Sequence, residues 1–93
     1  MSVTRTNDVV LLEGAVTMET VPALLAELRS LCDANVRTLD FAGATEVDSA
    51  AVALALEVRR MRAADSGSLA FRNLPDALRK LIALYGVEEH LGA

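Results

Sequence analysis

The stretch VRTLDFAGATEVDSAAVALALEVRRMRAA, residues 36–64, decides the fold of this chain. Val36, Leu39 and Phe41 bring apolar side chains together in a short run, which predicts a core strand over residues 36–41. Residues 42–48 are mostly small and polar, and read as a loop with a short strand turn at Val47. From Ser49 to about Ala64 apolar residues crowd at helical spacing, and Asp65-Ser66-Gly67 closes the run. A strand that feeds a long helix through a short loop is the repeating half of an α/β fold.

The same alternation repeats on both sides. Val21, Leu24, Leu25, Leu28, Leu31 and Cys32 recur at the spacing of one helical face. Thr20 suits the N-cap of that helix, and Pro22 is tolerated in its first turn, where the missing N–H has no partner to lose. Residues 9–12 read as a strand running into a turn at Glu13-Gly14, with an earlier strand at Val3 and Thr4 joined to it through Asn7-Asp8. Leu69-Ala70-Phe71 reads as a further core strand. Asn73 then caps a third helix, with Pro75 in its first turn and Leu74, Leu78, Leu81, Ile82 and Tyr85 along its buried face. Gly86 stands where a helix C-terminal glycine belongs, and residues 87–91 read as a last helical turn. The order β(β)–α–β–α–β–α predicts an α/β fold. It has a small mixed sheet of about four strands, three to four helices packed against it, and one face not fully covered. All 93 residues are expected to form a single domain, 1–93.

Composition narrows the function. The hydrophobic fraction of 53% suits a folded core rather than a disordered acidic tail. With 9 Lys+Arg against 13 Asp+Glu the formal net charge is −4, which argues against a phosphate backbone as partner. A lone cysteine, Cys32, excludes an intramolecular disulfide, and with His90 as the one histidine it cannot complete a His/Cys zinc site. Residues 1–8 are polar, with Arg5 and Asp8 breaking any apolar run, so no signal peptide is read there. The longest apolar run, residues 50–56, is far short of the roughly 20 residues that a membrane span needs. A cytoplasmic protein is expected, with any link to a membrane running through a partner.

The chemistry concentrates at the second helix. Val52, Leu54, Ala55, Leu56, Val58 and Met61 fall on an arc suited to burial. Ser49, Ala50, Ala53, Glu57 and Arg60 fall on the remaining arc, which begins with a hydroxyl, continues with small residues and ends in charges. Such a face is either a solvated surface with a good cap or a docking surface where small side chains let another molecule approach. Ser49 itself reads two ways. As an N-cap it contributes about 1 kcal/mol. As a phosphoacceptor it would hold its phosphate at the positive end of the helix, with Asp48 beside it opposing. Asp40 and Asp48 could suggest a Mg²⁺ site, but that arrangement needs an acidic pair after the first strand, where only Glu13-Gly14 stands. No metal or cofactor is expected. An enzyme is not expected either: Ser49 has no base near it in sequence, and Gly14, Gly43, Gly67, Gly86 and Gly92 are single turn glycines rather than a phosphate loop. Cys32 reads as core, His90 as surface, and Tyr85 as packed under the third helix with its hydroxyl at the edge.

Leu39-Asp40-Phe41, followed by Val47-Asp48-Ser49-Ala50-Ala51-Val52-Ala53-Leu54-Ala55-Leu56, resembles the signature of STAS domains, named for sulphate transporters and anti-sigma-factor antagonists. Their pattern is a strand, a short loop, then Asp-Ser/Thr-x-Gly-Leu opening a helix. Leu74-Pro75-Asp76-Ala77-Leu78 and Leu84-Tyr85-Gly86-Val87 fit the family's third helix, and the order of elements fits over essentially the whole chain. The sequence departs from the pattern at Ala51, where the family usually has Gly, and at Val52, usually Leu. Two branches are implied. The first is the MlaB-like branch, small cytoplasmic subunits of the Mla phospholipid ABC transporter, and the short chain, the apolar second helix and the Leu84-Tyr85 ending resemble it. In that branch the chain would bind the transporter's ATPase subunit without catalysis, peripheral to the inner membrane through that partner. Its docking face would be built from Asp48, Ser49, Ala50, Ala53, Glu57 and Arg60. The second is the anti-sigma-factor antagonist branch, phosphorylated by a serine kinase on the hydroxyl after the Asp, here Ser49. A free-standing interaction module is the third reading.

Overall fold

A computed structural model describes residues 2–31, 35–63, 69–87 and 89. Four strands, β1 (Ser2–Thr6), β2 (Val9–Val16), β3 (Thr38–Val47) and β4 (Ala70–Arg72), form one sheet in the order β1-β2-β3-β4. β1 pairs antiparallel with β2, while β2, β3 and β4 run parallel. Three helices, α1 (Val21–Leu31), α2 (Ser49–Ala63) and α3 (Asp76–Tyr85), alternate with them. This is the mixed four-stranded sheet with packed helices that the sequence predicts.

Strand alternation and helix stripes meet in one core. Val10 and Leu12 of β2 and Leu39 and Phe41 of β3 point to one face. They join Leu24 and Leu28 of α1, Leu54, Ala55 and Val58 of α2, and Leu78 and Ile82 of α3 in a single apolar cluster. The opposite face is open. Thr4, Thr6, Val9, Leu11, Asp40 and Arg72 line a shallow hollow there of about 330 Å³.

The termini of the elements follow local chemistry. β1 turns into β2 through Asn7-Asp8, with Asn7 at φ 56, a left-handed conformation that Asn accepts. Thr20 is at the N-cap of α1: its carbonyl accepts the Leu24 N–H at 3.0 Å. Its hydroxyl turns back to the preceding loop, accepting from Thr17 N–H and donating to the Ala15 carbonyl, each at 2.9 Å. α3 ends at Gly86, φ 67 and ψ 32. There Gly86 N–H donates to Ala83 O and Val87 N–H to Ile82 O, the paired bonds of a Schellman turn.

Five expectations are corrected. β2 does not stop at Glu13-Gly14, and residues 42–47 are strand rather than loop: Glu13 pairs with Gly43, Gly14 with Ala44, and Val16 with Val47. At Gly43 the strands come too close for a side chain. A Cβ on Gly43 would lie 2.6 Å from Glu13 Cγ and 2.9 Å from the Leu12 carbonyl. Asn73 does not cap α3. Pro75 holds the N-cap position without a side-chain bond, and Asn73, at φ 57, donates its amide to Asp40 instead. Tyr85, the last residue of α3, is not packed under it but 52% exposed, while Val87, just past the Schellman turn, packs against the core. Met61 and Leu56 are only half-buried, while Ala51, left out of the expected buried arc, is fully buried. Cys32 and His90 lie outside the described residues, as does most of the last turn expected over residues 87–91.

Candidate functional site

β3 carries the chain to the end of the sheet, and Asp48 turns it into α2. There the structure separates two roles that the sequence left together. Asp48 is the cap: its Oδ1 accepts the Ala50 N–H at 2.8 Å and its carbonyl accepts the Ala51 N–H at 2.9 Å. Ser49, expected as a possible cap, is the first residue of the helix and is exposed. Among the described residues nothing hydrogen-bonds its hydroxyl. A side chain relieved of capping is free for contact or modification.

The face beyond it is as small as the spacing implies. Ala53 is exposed and Ala50 half-buried. Ala51 points the other way, into the core, so the residue that departs from the family's Gly adds nothing to this surface. Further along, Arg60 donates to both Glu57 oxygens, at 2.6 Å from Nη2 and 3.3 Å from Nε. That hydrogen bonding holds the Glu57 carboxyl below its ordinary value and the Arg60 guanidinium above its own. The charges at the far end of the face therefore answer each other.

Sequence reasoning missed a neighbouring part of the site. The second oxygen of Asp48, Oδ2, accepts the Met18 N–H at 3.0 Å, which ties the loop between β2 and α1 to the start of α2. Thr17, Met18 and Glu19 from that loop, with Glu46, Val47 and Asp48, line a hollow of about 330 Å³. Met18 is 74% exposed. An isolated apolar residue within Thr-Met-Glu-Thr was the one signal available.

Asp40 belongs elsewhere. It lies near the start of β3 and Asp48 just past its end, a separation of about 25 Å along an extended strand. The structure does not bring the two carboxylates together. Arg72 donates to Asp40 Oδ2 from Nε at 3.1 Å and from Nη2 at 2.9 Å, while Asn73 Nδ2 and Ala42 N–H donate to Oδ1. Burial pushes the Asp40 carboxyl up. The bonds from Asn73, Arg72 and Ala42, with the Arg72 charge, outweigh it and hold the group below its ordinary value. Its oxygens are taken by protein donors. Among the described residues, no group of three or more His, Cys, Asp or Glu could hold a metal ion, and no helix is long and apolar enough to cross a membrane.

Known proteins share this architecture. Two solved structures superpose on the chain. One is the anti-sigma factor antagonist SpoIIAA in its unphosphorylated form, with a TM-score of 0.72 and 21% identity, covering 97% of this chain and 84% of that one. The other is Mglu, with a TM-score of 0.59 and 26% identity, covering 83% of this chain but only 20% of that one. The first likeness shows the fold, and the second concerns a fifth of a longer protein. No curated protein matches the chain in sequence. The family model described as "Mlab, STAS domain" matches residues 1–92, and no enzymatic family is indicated. STAS domains act by binding partner proteins. The chain therefore belongs to the STAS domains of the MlaB type.

Proposed function

We propose that the chain is a non-catalytic, cytoplasmic STAS subunit that binds the ATPase of an Mla-type phospholipid ABC transporter. It supports the assembly or activity of that transporter in maintaining outer-membrane lipid asymmetry, and it meets the inner membrane only through this partner. The family match supports the branch. The observation that carries the reading is Ser49: it is exposed, makes no hydrogen bond from its hydroxyl among the described residues, and is relieved of capping by Asp48, at the head of a face that continues with Ala50 and Ala53. Ala50 and Ala53 let a partner approach the helix closely, and Ser49 offers it a hydrogen bond. Glu19 and Glu46 flank the approach, so the matching surface on the ATPase carries Lys or Arg at its rim. Copurification from the native cells tests this. An ABC ATPase should come down with the parent chain, and a serine kinase in its place would move the assignment.

A second reading rests on the same hydroxyl. A free Ser49 at a helix N-terminus also suits an anti-sigma-factor antagonist regulated by phosphorylation. A phosphate there would bring roughly two negative charges next to Asp48, enough to switch an interface off. Intact-mass measurement on protein from its own cells separates the two: stoichiometric phosphate, absent from Ser49→Ala, favours the antagonist.

A further inference from the structure

We infer that Asp48 is a positioning residue for the partner, and that what it positions is Met18, an exposed apolar contact whose backbone it holds at the start of α2. The inference rests on the docking reading and extends that surface from α2 to the loop between β2 and α1. One carboxylate serves both segments: Oδ1 accepts Ala50 N–H at 2.8 Å and Oδ2 accepts Met18 N–H at 3.0 Å, across 30 residues of sequence. The loop is braced from its other side. Thr17 N–H donates to Thr20 Oγ1 at 2.9 Å, and Val21 N–H donates to Thr17 O at 2.8 Å.

A braced backbone that presents an apolar side chain 74% exposed gains nothing for folding from that exposure. It does hold the backbone of a flexible thioether in place at the start of α2, beside Asp48. Methionine adapts to irregular apolar sockets, so the fitting partner is a protein with such a socket, edged by basic residues opposite Glu19 and Glu46. Holding the Met18 backbone in advance removes the loop's share of the ordering cost at binding.

Asp48→Asn separates the two roles, because Asn caps as well as Asp but brings one acceptor oxygen instead of two. Asp48→Ser caps with a single short hydroxyl and serves as the second variant. In the intact chain, amide hydrogen exchange at Met18 should rise about tenfold or more in both variants, as expected for the loss of one charge-assisted bond, while the melting temperature falls by several degrees and unfolding stays cooperative. Titration against the purified ABC ATPase subunit should then show Met18→Ala and Asp48→Asn each weakening binding about tenfold. The double variant should be no weaker than the worse single, since both act through one contact. A Met18 amide that exchanges at the parent rate in both variants overturns the positioning role. Asp48→Asn binding as the parent does, while Met18→Ala does not, overturns it as well. If Ala53→Arg also binds the ATPase like the parent, the docking reading has failed by itself, and the exchange data still decide whether Asp48 holds Met18.

Discussion

Asp40 and Arg72 stand opposite each other in the register of β3 and β4, and two guanidinium nitrogens reach the same carboxylate oxygen at 3.1 and 2.9 Å. This pair, with Asn73 on the other oxygen, fastens the short edge strand β4 and the lead into α3 to the middle of the sheet. It occupies the open face, away from the start of α2, and its contribution is to stability.

That contribution has a defined pH dependence. Asp40 is buried, and its folded carboxyl is held below its ordinary value of 3.8. A depressed carboxylate stabilises fully above its unfolded value and loses the effect as pH falls through the folded one. Asp40→Asn should therefore cost about 1–3 kcal/mol at neutral pH. Urea melts of parent and variant should converge as the pH drops below 3.8. A gap that stays constant down to the acid limit contradicts the assignment.

The close approach of β2 and β3 predicts a contrast between two glycines. Gly43→Ala drives a methyl against Glu13 Cγ and the Leu12 carbonyl, and should cost about 1–3 kcal/mol through overpacking. Gly86→Ala meets open space and is strained only by its φ of 67, so its cost should be about 1 kcal/mol. Denaturant midpoints in the reverse order would place the tight approach elsewhere.

Leu28 is fully buried on α1. Leu28→Ala should cost about 2–4 kcal/mol, from lost transfer energy and the cavity left behind. A loss below about 0.5 kcal/mol in denaturant melts would mean that the stripe does not face the core.

Capping by Asp48 rather than Ser49 is open to the same measurement. Asp48→Ala, which removes both the cap and the bond to Met18 N–H, should cost about 2–3 kcal/mol of stability. Ser49→Ala, which removes an exposed hydroxyl with no hydrogen bond among the described residues, should stay within about 0.5 kcal/mol of the parent. Equal costs would return a capping role to Ser49.

Much of the fold was legible because burial repeats along a helix. Leu24 and Leu28, Leu54 and Val58, and Leu78 and Ile82 are spaced four apart, and each pair is buried. Gly86 was legible because few other residues take its backbone conformation at a helix end. The far half of β3 was not. Ala42-Gly43-Ala44 carries the composition of a loop, and only pairing with β2 shows that it is strand and that Gly43 serves a close strand approach. At the site, Asp48 and Ser49 are both good capping types and adjacent, so composition could not rank them. Geometry does, by placing the carboxylate on the Ala50 amide. Met18 entered the site through a bond spanning 30 residues, beyond the reach of any local pattern.

The account turns on whether a partner docks on the outward face of α2. Ala53 is exposed there and off the core, so a bulky charge at that position should block the partner and spare the fold. The most direct measurement is the affinity of parent, Ser49→Ala and Ala53→Arg for the purified ABC ATPase subunit, alongside their melting temperatures. Ser49→Ala should weaken binding by about 1–2 kcal/mol, the loss of one hydrogen bond. Ala53→Arg should cost several kcal/mol of affinity, on the order of 3 or more, through steric block and a charge left to desolvate, with its melting temperature close to the parent's. An Ala53→Arg chain that binds the ATPase as tightly as the parent would show that this face is only solvated surface.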